Sequence, residues 1–221
     1  MKKGLGFEFW IALIAAIALV VMFYLISQHH RYLNQTIKEE TSVYSIKVDY
    51  PSFTNSVINS QIEALVNQAV LDIKSYPPRP KDYPVEYKNE LAVAYERPYV
   101  SKKYVSIYFE FMTYTGTAHP NTKIVTLNFE AKTGKRITLG DITATSEAKI
   151  IAIKQELRRQ LLARLNYTSK EDLKWLDEGI KQNQLDTFTL DGKGINYYFQ
   201  QYEVACYADG PQKVFIPRNK L

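Results

Sequence analysis

Polar and apolar positions change their rhythm near residue 27. Before it, Phe9 to Ile26 (FWIALIAAIALVVMFYLI) runs for 18 residues without a charge. A helix of that length crosses a hydrocarbon core, whereas secretory signal cores are shorter, about 7–15 residues. The following SQHHRYL offers no small-x-small cleavage site. The pattern therefore predicts an uncleaved transmembrane signal anchor over 9–26, preceded by a short cytoplasmic tail over 1–8. Lys2 and Lys3 precede the span and Arg31 and Lys38 follow it, so the positive-inside bias is thin. The tail is too short to fold, which assigns the working part to the C-terminal, extracytoplasmic side.

Beyond the span, residues 27–41 are polar and charged and read as a stalk. Residues 43–221 read as one folded domain. SVYSIKVDYP alternates Tyr44, Ile46 and Val48 against Val43, Ser45 and Lys47, a first strand ending at Pro51. From Thr54 to about Ser75, Ile58, Ile62, Leu65, Val66, Ala69 and Ile73 recur at helical spacing, and YPPRP stops the helix. Strands are predicted over 85–97, 103–114 and 122–131. In the second, Val105, Ile107, Phe109 and Phe111 share one face, and Tyr104, Ser106, Tyr108, Glu110, Met112 and Tyr114 share the other. The third repeats this parity at Val125, Leu127 and Phe129, so the pair reads as antiparallel with its apolar side on the core. AKTGK makes a turn, RITL a short strand, and Gly140-Asp141 a break. A long helix follows with Ile150, Ile153, Leu157, Leu161 and Leu165 in register, then a helix over about 169–181. Short strands are predicted at TFTL, INYYFQ, VAC and VFIP. The fold class expected is α+β: an antiparallel sheet packed with helices, preceded by one N-terminal transmembrane helix.

Composition narrows the chemistry. Lys and Arg number 28 against 23 Asp and Glu, a formal charge of +5 that fits an anionic surface but equally fits solubility. No Lys/Arg run with interleaved aromatics points to nucleic acid, and no nucleic-acid partner is expected. Cys206 is the one cysteine, which excludes an intramolecular disulfide and a cysteine-based metal site.

Two motifs carry a resemblance. YTGTAHPNTKIVTLNFEAKTGKRITLGDI, followed far downstream by YEVACYADGPQKVFIP, is similar to a bacterial extracytoplasmic domain of unknown function. That domain is shared by lysozyme-sensing anti-sigma factors of the RsiV type and by peptidoglycan deacetylases of the PdaC type, ahead of their catalytic domain. The resemblance spans nearly all of 43–221 and implies an α+β binding or sensing unit at the cell envelope. Fold does not fix function here, because the module sits in proteins that do different things. The eight residues before the span are too few to hold a sigma factor, and no deacetylase-type catalytic domain follows in this sequence. Cys206 stands where the family usually has proline before its YA-x-G motif.

His119, the one histidine outside the first thirty residues, has two readings: a general base or metal ligand, or part of a turn built by Gly116, Pro120 and Asn121. A base needs a nucleophile or an orienting carboxylate, and His29 and His30 sit against the membrane. The turn reading is favoured, with His119 and Asn121 still able to touch a ligand. The tyrosines are the better lead. Of 17, seven fall between Tyr83 and Tyr114, and Tyr104, Tyr108 and Tyr114 share a face with Glu110. Such rings suit glycan faces and protein interfaces alike, unless a helix covers them as core. Glu110 and Glu130 raise a paired-carboxylate hydrolase as a minor alternative. Cys206, between Ala205 and Tyr207, reads as buried.

The expectation is a single-pass, membrane-anchored binding module with its C-terminal domain outside the cell membrane. It has no enzyme activity, metal or cofactor, and recognises cell-wall glycan through Tyr104, Tyr108, Tyr114, His119 and Asn121. The alternative partner is an extracellular protein of the lysozyme kind.

Overall fold

The two halves of the molecule form around two separate apolar clusters. The computed structural model describes residues 7–29, 32–80, 86–144 and 146–220. The N-terminal helix α1 spans Phe7–His29. Among the described residues, no helix is long and apolar enough to cross a membrane. Residues 1–6 of the expected tail, and residues 30 and 31 of the expected stalk, lie outside the described residues.

The first half is a mixed sheet with one helix on it. Strand β1 (Leu33–Glu40) pairs antiparallel with β2 (Tyr44–Ser52), which pairs in parallel with β3 (Asn89–Tyr95). β3 and the short β4 (Tyr99–Val100) share one edge of β5 (Tyr104–Tyr114), and β6 (Asn121–Glu130) takes the other. The sheet is therefore not wholly antiparallel. Helix α2 (Ser56–Ser75) returns the chain to the starting end of β2, so β3 enters in the same direction. Residues 33–40, expected within the stalk, form β1 instead. Of their side chains Ile37 packs against the core while most others are exposed, so the segment carries little apolar alternation.

Asn55 caps α2 by accepting from the Val57 and Ile58 amides, and its own amide donates to the Ala131 carbonyl at 3.1 Å. The helix buries Ile58, Ile62, Val66, Val70 and Ile73 on the Val105–Ile107–Phe109–Phe111 face of β5. Each such side chain contributes about 1.5–3 kcal/mol by leaving water. The stripe and the strand parity were both legible as sequence periods.

The second half contains α3 (Leu139–Thr143), α4 (Glu147–Leu165), α5 (Lys170–Gln182) and a small antiparallel sheet of β7 (Phe188–Leu190), β8 (Gly194–Phe199) and β9 (Gln212–Pro217). RITL forms only a single bridge, Phe129 to Arg136, before α3 begins at Leu139. The Thr138–Asp141 capping box starts that helix where a strand was expected. VAC is not a strand either: Val204 and Ala205 are buried within the loop from β8 to β9. The second core joins Ile153, Leu157 and Leu161 of α4, Leu176 and Ile180 of α5, and the inner residues of β7–β9.

The free edge of β6 is closed by one side chain and by the backbone of the segment that follows it rather than by another strand. The Gln200 carboxamide accepts from the Ile124 amide and donates to the Ile124 carbonyl, both at 2.8 Å. Farther along, Ile137 donates to the Asn128 carbonyl and Glu130 to that of Lys135. This blunts an edge that would otherwise template pairing.

Candidate functional site

The tyrosine face of β5 is where the two halves meet. β7 lies across it, and three polar side chains from β5 and β6 serve the backbone of β7 in place of a neighbouring strand. Thr126 Oγ1 accepts from the Phe188 amide at 3.0 Å, Ser106 Oγ accepts from the Leu190 amide at 2.8 Å, and Asn128 Nδ2 donates to the Phe188 carbonyl at 2.7 Å. Ser106 in turn donates to Asn128 Oδ1 at 2.6 Å. All three side chains are buried, so each would be costly without its partner.

This places the sequence-predicted residues in three environments. Tyr104 packs partly against the second core, and Tyr108 lies against Tyr198 with ring centroids 4.8 Å apart. Burial pushes the Tyr108 hydroxyl well above the usual phenol range, with Glu110 adding to it. Both rings are half-buried, and the one facing Tyr108 belongs to β8 rather than to a helix. Tyr114 meets Tyr87 edge-on at 5.7 Å. Asn121 is exposed at the start of β6 and lines a groove of about 490 Å³ between α2 and the sheet. The structure does not gather Tyr104, Tyr108, Tyr114 and Asn121 with His119.

His119 goes elsewhere. Gly116 takes φ +82°, and a Cβ there would come within 2.4 Å of the Tyr87 ring, so the tip of the β5–β6 loop requires glycine. His119 Nδ1 lies 3.0 Å from the Pro120 carbonyl oxygen. Its ring also stacks on Tyr207, with centroids 4.3 Å apart and planes at 33°. Tyr207 in turn faces Tyr202 at 5.8 Å, again at 33°. Tyr202 is 54% exposed and Tyr207 37%, so three rings form an open strip on the surface.

The strip runs into a cleft of about 550 Å³, a size typical of small-ligand sites. Trp175 of α5 forms part of its wall and donates from its indole nitrogen to the Tyr202 carbonyl at 3.1 Å. Tyr202 itself sits at φ +66°, a conformation that side chains other than glycine rarely hold without support. Gly179 brings α5 against the loop: a Cβ there would lie 1.9 Å from the Glu203 carbonyl oxygen. Glu203 Oε2 accepts from the Gln200 amide at 2.8 Å and from Asn183 Nδ2 at 3.2 Å. Burial raises the Glu203 carboxyl above its ordinary range, and the neighbouring Asp186 charge adds to the rise.

Sequence reasoning missed Trp175, Tyr202, Tyr207 and Glu203. The available signal was a pair of tyrosines in a loop, YEVACY, beside polar residues on both sides. Cys206 is half-buried rather than buried, and its thiol lies 3.0 Å from Asp209 Oδ2. The paired-carboxylate alternative fails on register. Glu130 lies opposite Tyr104 and Glu110 opposite Ile124, so the two carboxylates stand about 20 Å apart along the ladder. Glycosidase pairs need roughly 5–9.5 Å. Among the described residues no group of three His, Cys, Asp or Glu side chains is placed to hold a metal ion.

The division into halves matches the comparisons with known proteins. The family model "Deacetylase PdaC" matches residues 37–122, and "Protein of unknown function (DUF3298)" matches residues 140–219. His119 therefore falls in the first matched segment and Tyr207 in the second. No curated protein matches the chain. Among solved structures, a DUF3298 family protein from Pseudomonas aeruginosa PAO1 superposes with a TM-score of 0.62 at 16% identity, covering 86% of this chain and 90% of that one. A DUF3298 family member from Bacteroides fragilis NCTC 9343 gives 0.57 at 18% identity, covering 85% and 90%. At such identities the likeness establishes the fold. The chain carries a PdaC-type segment followed by a DUF3298 segment, the shared module that its two motifs resemble.

Proposed function

We propose that this chain is a membrane-anchored, extracytoplasmic binding module of the cell envelope whose ligand is cell-wall glycan. The observation that carries this reading is the exposed ring strip of His119, Tyr207 and Tyr202 leading into the cleft beside Trp175. Sugar rings present apolar C–H faces and a hydroxyl rim. They suit flat aromatic surfaces next to polar groups, and Tyr and Trp supply both. A strip followed by a cleft fits a repeating polymer, one residue stacking outside while its neighbour enters.

The anchor reading rests on the charge-free run of 9–26 within α1, where Ile14, Ile17, Leu19 and Val20 are exposed. Apolar side chains standing outward along one helix suit lipid better than water. The envelope location rests on this run and on the motif resemblance. Tyr202 and Tyr207 carry the contact surface in this reading, since Tyr104 and Tyr108 are half-buried against the second half of the molecule.

The test is cosedimentation of the chain with purified peptidoglycan sacculi, comparing the intact protein with a Tyr202→Ala/Tyr207→Ala variant. Binding lost in the still-folded variant supports the reading. Binding that persists moves the glycan off this strip. Absence of binding by the intact chain leaves a protein partner, as in the lysozyme sensors, in its place.

A further inference from the structure

Among the described residues, the long strand edges are closed with one exception. β6 is closed by Gln200 and by the segment after it, and β7 gives its amides to Thr126 and Ser106. Along β9, Gln160 donates to the Phe215 carbonyl at 3.0 Å and Arg164 to that of Lys213 at 2.7 Å. β1 ends the larger sheet, and no described group takes the backbone on its outer side.

The ladder fixes which backbone groups face outward. The Asn89 amide donates to the Val43 carbonyl and the Thr41 amide to the Tyr44 carbonyl, both at 2.9 Å. Successive residues of a strand turn their N–H and C=O to opposite sides. Tyr44, Ile46 and Val48 therefore point at β1, and Glu39, Ile37, Gln35 and Leu33 point back at β2. Asn34, Thr36, Lys38 and Glu40 turn theirs away from the sheet. Such a row is a template for another strand.

We propose that β1 pairs antiparallel with β1 of a second copy of this chain, centred on Ile37, so that two sheets become one. The outward residues lie symmetrically about Ile37. Asn34 then meets Glu40 of the second copy and Thr36 meets Lys38, with the reverse pairs following by symmetry. No outward residue is left over. Shifting the register by one would set outward groups against inward ones and make no ladder. A centre at Lys38 opposes two lysines and carries Asn34 past the end of the other strand. A centre at Thr36 does the same to Glu40.

The side chains favour the Ile37 centre. Ile37 packs on the first core and would meet its own copy there, with Gln35 facing Glu39. On the other face Lys38 stands directly opposite Lys47, a like-charge pair that destabilises a ladder. Lys38 has no ion-pair partner among the described residues, whereas Lys74 holds Glu39 and Lys88 holds Glu40. In the paired sheet Lys38 lies beside Thr36 of the second copy, whose hydroxyl donates to Asp49. That carboxylate is then two strand spacings away, about 9.5 Å between Cα atoms, a span the two side chains can close. Lysine on an edge commonly blocks pairing. Here it opposes threonine and gains an acid. β1 starts at Leu33, soon after α1 ends at His29, so two copies anchored in one membrane would hold this edge at the same height. The pairing needs no part of the glycan reading.

The experiment uses the full chain in non-ionic detergent. Sedimentation velocity is expected to give a dimer, and Lys38→Pro a monomer with an unchanged urea midpoint. Proline there removes only an outward N–H and leaves the bonds to β2 intact. The register is read by cysteines in a Cys206→Ser background. Ile37→Cys should cross-link to itself under mild oxidation, because opposed residues of that kind lie about 4.5 Å apart. Gln35→Cys alone should not, its counterpart lying about 13 Å along the ladder, but mixed with Glu39→Cys it should give a covalent heterodimer. An intact chain that stays monomeric at every concentration tested overturns the proposal. So does a dimer that survives Lys38→Pro, which would place the interface elsewhere, α1 included. Gln35→Cys cross-linking to itself as readily as Ile37→Cys overturns the register. Should Lys38→Pro fold poorly, the cysteine series decides by itself: no covalent dimer from Ile37→Cys overturns the pairing.

Discussion

His119 and Tyr207 stack at 4.3 Å although one belongs to the β5–β6 loop and the other to the turn before β9. The contact joins the two halves of the molecule at the place where the open ring strip begins. Functional surface is thus built across the junction, and neither half alone carries all of it.

The strip and the covered face are expected to respond differently to truncation. Replacing Tyr202 and Tyr207 by Ala should abolish sacculus binding with stability changed by less than about 1 kcal/mol, as is usual for exposed positions. Replacing Tyr108 by Ala should cost on the order of 2–3 kcal/mol through loss of its packing on Tyr198, with binding per folded molecule unchanged. Cosedimentation alongside urea denaturation separates the two effects.

Tyr202 holds φ +66°, so a glycine there is expected to stabilise the fold by about 1 kcal/mol while weakening glycan binding. Stability and binding moving in opposite directions at one position is the signature of strain kept for function. A Tyr202→Gly variant with both properties lowered would remove that interpretation.

Gly179 gives a prediction of reversed sign. In an open helix Gly→Ala stabilises by roughly 1 kcal/mol. Here the added methyl meets the Glu203 carbonyl at 1.9 Å, so Gly179→Ala should instead destabilise by about 1–3 kcal/mol and spread the cleft. A rise in the denaturation midpoint would mean that α5 does not approach the loop so closely.

At the interface between the halves, Asn128→Leu should cost about 2 kcal/mol or more. It leaves the Phe188 carbonyl and the Ser106 hydroxyl buried without their partner. A midpoint shift at constant denaturant slope in urea unfolding is the expected readout.

Acid should loosen the C-terminal end. Glu156 accepts from Arg159, Gln160 and Lys220, which holds its carboxyl far below the usual carboxylate range. A depressed folded pKa means that the stabilisation is present above the ordinary value of 4.5 and is lost as pH falls below it. Glu156→Gln should flatten that part of the stability–pH curve, and an unchanged curve would assign the acid sensitivity to other groups.

Periodicity disclosed the elements whose burial is one-sided and regular. The α2 stripe of Ile58, Ile62, Val66 and Ile73 and the parity of β5 and β6 are repeated patterns, and each meets a single core. β1 was hidden because an open edge strand needs only Ile37 on the core. The direction of β3 was hidden because pairing geometry depends on where α2 delivers the chain. For the site, His119 was visible as a loop residue, but its partner Tyr207 lies 88 positions away in a turn without period. The tyrosines of β5 drew attention by density. Density cannot tell a face left open from one on which Phe188 and Leu190 hang their amides.

The central claim is that ligand enters beside Trp175. Trp10 and Trp175 are the two tryptophans, so Trp10→Phe makes Trp175 the sole indole reporter. Its emission should be titrated with soluble glycan strands from peptidoglycan. A saturable change that tracks binding, and that disappears in Tyr202→Ala/Tyr207→Ala, is the predicted result. Binding that leaves Trp175 emission unaltered would place the glycan elsewhere and contradict the account.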